Sequence, residues 1–316
     1  MNIIKNRYVF FFISLLVIIP GLIFMGLNWT KTKTGPLLLG VDFRGGSLLE
    51  VQFEGVRPAT ADILALYNEF STSDQPINDP LIQSLGDDSF SIRSKTMTDE
   101  TKGVLVAEME ARFDSKVTVL NFTSVSASVG AEVTSSAGWA IVAAAVAILV
   151  YIWWAFRKVE HAYRYGTAAI IAMLHDVLVV VGVEAILGYF LGWEADALFL
   201  TALLTVIGFS VHDTIVVFDR VRENSAVYRR VEYEKMVNHS IVQTLDRSIT
   251  TQLTVMFTLF ALVLFGGDSI RHFVIILLVG IFSGTYSSIF NAAPILVVWE
   301  NREWENWFKR KEEAAF

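Results

Sequence analysis

The chain alternates between long, unbroken apolar runs and one polar stretch whose apolar residues recur at strand or helix spacing. The first apolar run is Tyr8 to Trp29, preceded by Lys5 and Arg7. About 20 residues of helix cross ~30 Å of hydrocarbon, so this run predicts a membrane span over 1–29. No small-residue cleavage site follows it, which predicts a helix that is retained. Pro20 and Gly21 predict a bend midway, a feature membrane helices tolerate when neighbours satisfy the freed backbone groups. Five further runs, at 137–156, 166–188, 196–217, 249–266 and 272–298, make a second membrane region over 137–298, and a polar tail follows at 299–316.

The stretch 30–136 has a different periodicity. Leu48, Glu50, Gln52 and Glu54 alternate with Leu49, Val51 and Phe53, the pattern of a half-buried strand. Thr60 to Phe70 reads as a helix with Thr60 as its cap and Asp62 in its first turn. Asp88 to Arg93 reads as a strand after a turn at Gly86-Asp87, and a further short strand fits Pro80 to Ser84. Thr98 to Phe113 reads as a helix capped by Thr98, and Lys116 to Phe122 as a strand with strict alternation. Strand–helix–strand–strand–helix–strand is the split βαβ, ferredoxin-like order. The domain lacks the His and carboxylate clusters of a catalytic site, which points to binding or mechanical work.

Composition agrees with a membrane protein. Of 316 residues, 53% are hydrophobic and 18% charged. There are no cysteines, which excludes disulfides and thiolate metal sites. A net charge of −7 argues against a nucleic-acid partner. Arg157, Lys158 and Arg164 lie between the second and third runs, Arg220, Arg222, Arg229, Arg230, Lys235 and Arg247 between the fourth and fifth, and Arg302, Lys309, Arg310 and Lys311 after the sixth. The alternate loops carry Glu194, Asp196 and Asp268 instead. The positive-inside rule then predicts six spans with both termini cytoplasmic and the 30–136 domain on the other side. Trp153, Trp154, Trp193 and Trp299 sit where interfacial anchors belong.

The candidate chemistry lies in the polar residues inside the spans. Asp213 follows His212 within the fourth, Asp176 follows His175 within the third, and Glu184 lies nearer that span's outer end, facing a vestibule or an interface. Arg247 begins the fifth, followed by Ser248, Thr250, Thr251 and Gln252. Ionisable residues at membrane depth are costly and mark ion pathways or relays. Low dielectric favours a neutral carboxyl, and an approaching cation such as Arg247 favours the charged form, so a carboxylate that meets its cation in only one conformation binds and releases a proton in turn. The competing account is a static buried pair that fixes helix register. Asp176 fits either a relay or a hydrogen bond to a neighbouring helix. Each His is adjacent to its Asp, so the two side chains diverge by about 100° on a helix, and the spacing matches no metal motif. Gly280, Ser283, Gly284, Ser287 and Ser288 permit close helix approach at the sixth span.

Several blocks resemble the SecF family, one half of the bacterial SecD–SecF protein-export complex. They are GVDFRGGSLLEVQF (Gly40 to Phe53), with its signature Gly40, Asp42, Phe43, Gly45 and Gly46, SVGAEV (Ser128 to Val133), IGFSVHDTIVVFDRVREN (Ile207 to Asn224), LDRSITTQLTV (Leu245 to Val255) and LFGGDSIRHF (Leu264 to Phe273). Together with the glycine- and serine-rich sixth span they cover nearly the whole chain in order. The resemblance implies membership of the resistance–nodulation–division superfamily in a bacterial cytoplasmic (inner) membrane. It implies a pseudosymmetric unit with a separate SecD chain, association with the SecYEG channel and with YajC and YidC, and use of H⁺ or Na⁺ as the coupling ion, with no other cofactor and no enzymatic activity. The work implied is the late translocation and release of unfolded secretory polypeptides. Carried over by position, the family's coupling carboxylate falls on Asp213, its fifth-span arginine on Arg247 and the hydroxyl one turn later on Thr251. Asp176 matches a third-span aspartate, and His212 stands where many relatives have Asn. Gly45 and Gly46 allow a tight turn, as a simple turn or as a hinge. The remaining alternatives are a small-molecule or lipid exporter of the same superfamily, an intramembrane hydrolase using the two His-Asp pairs, and a scaffold of the channel without coupling.

Overall fold

The computed structural model describes residues 2–33, 35–71, 77, 80–85, 88–157 and 161–306. The chain divides into two compact units, one made of 1–37, 141–193 and 198–316, the other of 38–140 and 194–197. In order the elements are α1 (Arg7–Thr32), α2 (Val41–Arg44), β1 (Gly46–Glu54), α3 (Thr60–Phe70), β2 (Leu81–Leu85), β3 (Ser89–Ser94), α4 (Asp99–Phe113), β4 (Lys116–Val125), α5 (Ala127–Phe156), α6 (Ala162–Leu191), α7 (Ala197–Val227), α8 (Tyr233–Phe265), α9 (Asp268–Ser287) and α10 (Ala293–Glu300). Among the described residues, six helical stretches are long and apolar enough to cross a membrane.

The smaller unit is built on β1. Its odd positions Leu49, Val51 and Phe53 are buried with Phe90 and Ile92 of β3, Ile63, Leu66 and Tyr67 of α3, and Leu105 and Met109 of α4. The sheet order is β2-β3-β1-β4, with every pairing antiparallel. The weakly patterned segment after Pro80 is a true edge strand, β2. The expected turn at Gly86-Asp87 lies outside the described residues. Two sequence expectations need correction. Thr60 is the first helical residue of α3 and Ala59 is its extended N-cap, without a side-chain cap; on α4, by contrast, Thr98 Oγ1 accepts from the N–H of Thr101 at 3.2 Å. β4 does not alternate strictly. Opposite Glu50 and Val51 its register steps from Asn121 to Val119, so Leu120 is an extra residue, a β-bulge that leaves both Val119 and Leu120 exposed.

In the larger unit, α1 is one continuous helix through Pro20. Gly21 does more than loosen it: a Cβ there would come within 2.6 Å of the Gly182 backbone on α6, so the two glycines let spans one and three touch main chain to main chain. Gly284 performs the same service on α9, where a Cβ would come within 3.2 Å of Ser210 of α7. The sixth span is not a plain helix. Ser288–Ala292 forms a π-turn between α9 and α10. Pro294 follows two residues later, and its missing N–H and bulky ring are tolerated where the i→i−4 ladder is already interrupted. The π-turn presents Asn291, whose Nδ2 donates to Ser14 Oγ of α1 at 2.8 Å. The fifth run begins much earlier than its apolar core: α8 starts at Tyr233, and its amphipathic first half buries Met236, Val237 and Ile241. That half fixes the N-terminus, since Asn238 Oδ1 accepts from the N–H of Ile3 at 2.8 Å and Arg7 bridges Glu234 at 2.7 Å and Glu303 at 2.5 Å.

Candidate functional site

The polar residues within the spans fall into separate groups. Asp213, on α7, is 3% exposed. Its Oδ2 accepts from Nε2 of Gln252 on α8 at 2.5 Å. Gln252, a neutral donor named in the sequence but given no role there, is therefore the immediate partner of the carboxylate. Among the described residues no ion pair joins Asp213 to Arg247. Arg247 and Thr251, four apart on α8, share an exposed face, and His212 is exposed on α7. The predicted cluster is thus split: the carboxylate faces into the bundle, and the cation, the hydroxyl and the imidazole lie on the open side of the same two helices. Arg247 also borders a cavity of about 560 Å³ lined by Trp154 and Phe156 of α5, Asp219 and Arg222 of α7, and Gln243 and Thr244 of α8.

Asp176 is wholly buried on α6. One oxygen accepts from Ser283 at 2.7 Å and lies 3.0 Å from His175 Nδ1; the other accepts from Ser210 at 2.5 Å and Ser287 at 2.6 Å. Ser283 and Ser287 are one turn apart on α9 and Ser210 is on α7, so one carboxylate ties three spans together. The small residues of the sixth span serve here as donors as well as spacers. The expected divergence of His175 from Asp176 does not hold. The two Cβ directions differ, but rotation about the histidine side-chain bonds carries Nδ1 back to its neighbour. Glu184, expected to face a vestibule or an interface, is 1% exposed. Its Oε2 lies 2.8 Å from His272 Nε2 on α9, and the Trp193 ring covers that imidazole with centroids 4.5 Å apart.

In the smaller unit the signature residues form a tight backbone junction. Gly40 N–H donates to Ala195 O at 2.7 Å and Ala195 N–H to Leu38 O at 2.8 Å. Asp42 Oδ2 accepts the N–H of Ala197 at 2.9 Å, and Phe43 O accepts from Thr134 Oγ1 at 3.0 Å. Gly45 has φ +78°, and a Cβ there would come within 2.6 Å of the Ala127 backbone. Gly46 has φ +120° and would collide with Ser94 O. The glycines are required by close approach of β1, β3 and the start of α5, beyond the needs of a turn.

Comparison with known proteins agrees with this architecture. The family described as protein export membrane protein SecD/SecF, C-terminal, matches residues 105–302, and the SecD/SecF GG motif matches residues 36–55, which hold the junction just described. The protein translocase subunit SecF of Anaerolinea thermophila is 53% identical over 100% of this chain and 99% of its own length. The SecF of Thermobaculum terrenum is 48% identical over 99% and 98%. The crystal structure of SecDF, a translocon-associated membrane protein from Thermus thermophilus, superposes with a TM-score of 0.77 at 30% identity, over 96% of this chain and 39% of that longer one. With family models matched at 36–55 and 105–302, a relative 53% identical over its whole length and the same fold, this multi-pass membrane chain belongs to the SecF family of protein translocase subunits.

Proposed function

We propose that this SecF subunit of the Sec protein-export machinery couples a proton or sodium gradient, with a separate SecD chain, to the late translocation and release of secretory polypeptides. The observation that carries the reading is the state of Asp213. A carboxylate buried at membrane depth is held by one neutral amide, while Arg247 and Thr251 wait on the exposed face of the helix that supplies the amide. Such a carboxylate makes different demands in its two charge states. Protonated, it needs no cation; ionised, it calls for one, and Arg247 of α8 and His212 beside it on α7 are the groups placed to answer it. The exposure of Arg247, Thr251 and His212 within apolar helices supports a site finished by a second membrane subunit. The SecDF likeness, in which this chain covers only 39% of the longer protein, supports SecD as that subunit.

In the cycle we infer, loss of charge at Asp213 weakens its draw on Arg247, α7 and α8 repack, and the change passes along rigid spans to the β1–β4 unit. We place both termini in the cytoplasm of a bacterial cell with an inner, cytoplasmic membrane. The smaller unit is then an external ferredoxin-like domain that holds and releases the emerging chain. SecYEG, with YajC and YidC, provides the channel context. The test is export of a secretory protein into vesicles carrying SecYEG, SecD and this chain, with and without an imposed gradient after ATP-driven initiation. Asp213→Asn is expected to abolish the gradient's acceleration and leave the ATP-driven phase intact. An equal response from wild type and variant would reduce the chain to a scaffold.

A further inference from the structure

One face of α8 carries a polar residue at every fourth position: Ser240, Thr244, Ser248 and Gln252. Residues four apart stack on one side of a helix. All are buried, at 0%, 6%, 2% and 3% exposure, and they lie within or just before an apolar span. The lower rungs are satisfied. Asn224 Nδ2 donates to Ser240 Oγ and to Gln243 Oε1, each at 2.8 Å, and the hydroxyls of Ser240 and Thr244 return to the carbonyls four residues back, at 2.9 and 3.2 Å. The upper rungs are not. Among the described residues, Ser248 Oγ and Gln252 Oε1 are buried with no hydrogen-bond partner, although a helical serine readily bonds the i−4 carbonyl as Ser240 does. The ladder ends at Asp213, through Gln252 Nε2, and its Thr244 rung lines the 560 Å³ cavity together with Gln243 and Arg247.

We propose that Thr244, Ser248 and Gln252 form the hydrated route by which Asp213 exchanges its ion with this cavity. Side chains at i and i+4 start about 5–6 Å apart, a gap that one water bridges when each offers a free donor or acceptor site, which Thr244 Oγ1, its proton already donated to the helix backbone, does as an acceptor. Ser248 both donates and accepts, and Gln252 Oε1 accepts, so a water between them has two fixed partners. For a proton, the step balances as transfer from the Asp213 carboxyl to a water drawn in beside it, past the Gln252 amide, which then passes one proton on through the water held by Ser248 and Gln252 Oε1 toward the cavity. The carboxylate is left charged, and Arg247 at the cavity wall is placed to oppose the proton's return. The proposal rests on the coupling role of Asp213 and adds the access route and the residues that line it.

The native chain has no cysteine, so labelling read on this chain reports a single introduced thiol without background from its own residues. Thr244→Cys, Ser248→Cys and, as an equally buried control off the ladder, Ile241→Cys are made in membranes that also contain SecD. A small membrane-impermeant methanethiosulfonate cation is applied from each side in turn. Ser248→Cys is expected to react from the cytoplasmic side alone and faster than Ile241→Cys. In the export assay Ser248→Leu, which fills the rung with hydrocarbon, is expected to lose most of the gradient-driven acceleration, and Ser248→Thr to keep it. Reaction of Ser248→Cys no faster than Ile241→Cys overturns the route, and this holds even if Ser248→Leu fails to assemble. Full acceleration in an assembled Ser248→Leu complex overturns it as well, with Asp213→Asn still inactive marking the route alone as wrong. Full acceleration in Asp213→Asn overturns the coupling role itself and the route's purpose with it.

Discussion

Asp176 on α6 and Ser283 on α9 are joined at 2.7 Å in the middle of the bundle, and Ser287 and Ser210 bring two more hydroxyls to the same carboxylate. This is the geometry of a clasp between helices: the carboxylate's acceptor sites are taken up by its own chain. Asp176→Asn replaces one acceptor oxygen by a donor facing hydroxyls. The expected cost is about 1–3 kcal/mol, the range for leaving buried polar partners unsatisfied. It should appear as a lower thermal midpoint in detergent. Gradient-driven export per assembled complex should stay at the wild-type level, whereas a relay residue would lose export at unchanged stability.

The contact of Gly21 with Gly182 sets how closely spans one and three pack. Gly182→Leu is expected to force the helices apart, at about 1–3 kcal/mol for an overpacked interface. Limited proteolysis of the membrane-embedded protein should show earlier cleavage, and Gly26→Leu, at a glycine with open space around it, should not.

Gly45→Ala tests the signature junction. The position combines a positive φ with a Cβ site 2.6 Å from the Ala127 backbone, so both strain and collision oppose the methyl group. Hydrogen exchange in β1, β3 and the start of α5 should accelerate. Gly103→Ala, at an exposed helical site with room, should slow exchange slightly or leave it unchanged.

Acid should loosen the smaller unit. Hydrogen bonds from Lys116 and Thr118 hold the Glu54 carboxyl below its ordinary value of 4.5, and Arg112 does the same for Glu69. A depressed carboxyl contributes stability that is fully present above about pH 4.5 and is lost as pH falls through the folded values. Burial moves Glu50 upward instead, so its contribution has the opposite sign and is lost as pH rises. Hydrogen exchange across 46–125, corrected for intrinsic rates, should therefore increase as pH drops below that point. The double variant Glu54→Gln, Glu69→Gln should show a flatter acid limb, with the small amplitude expected of exposed pairs.

Much of this architecture is legible in the chain because it follows from patterning. Apolar runs of span length specify six membrane helices, since in hydrocarbon an unbroken run of about 20 apolar residues satisfies its own backbone only as a helix. The alternation of Leu49, Val51 and Phe53 specifies the inner face of β1, and the Thr98 cap marks the start of α4. The motifs around Gly45 and Asp213 carry the family resemblance. Tertiary structure decided what spacing along one chain does not encode. Leu120 became a bulge because β4 had to meet β1 in register on both sides of it. Asp213 took Gln252 as its partner instead of Arg247 because the rotation of α8 about its own axis, set by packing against its neighbours, turns residue 252 inward and residues 247 and 251 outward. The serines of the sixth span proved to be donors to Asp176 because three helices converge there, a coincidence of residues 34, 107 and 111 positions apart that no local period reveals. Polar identity can be read from the sequence, but the pairing of polar groups depends on which faces the bundle turns inward.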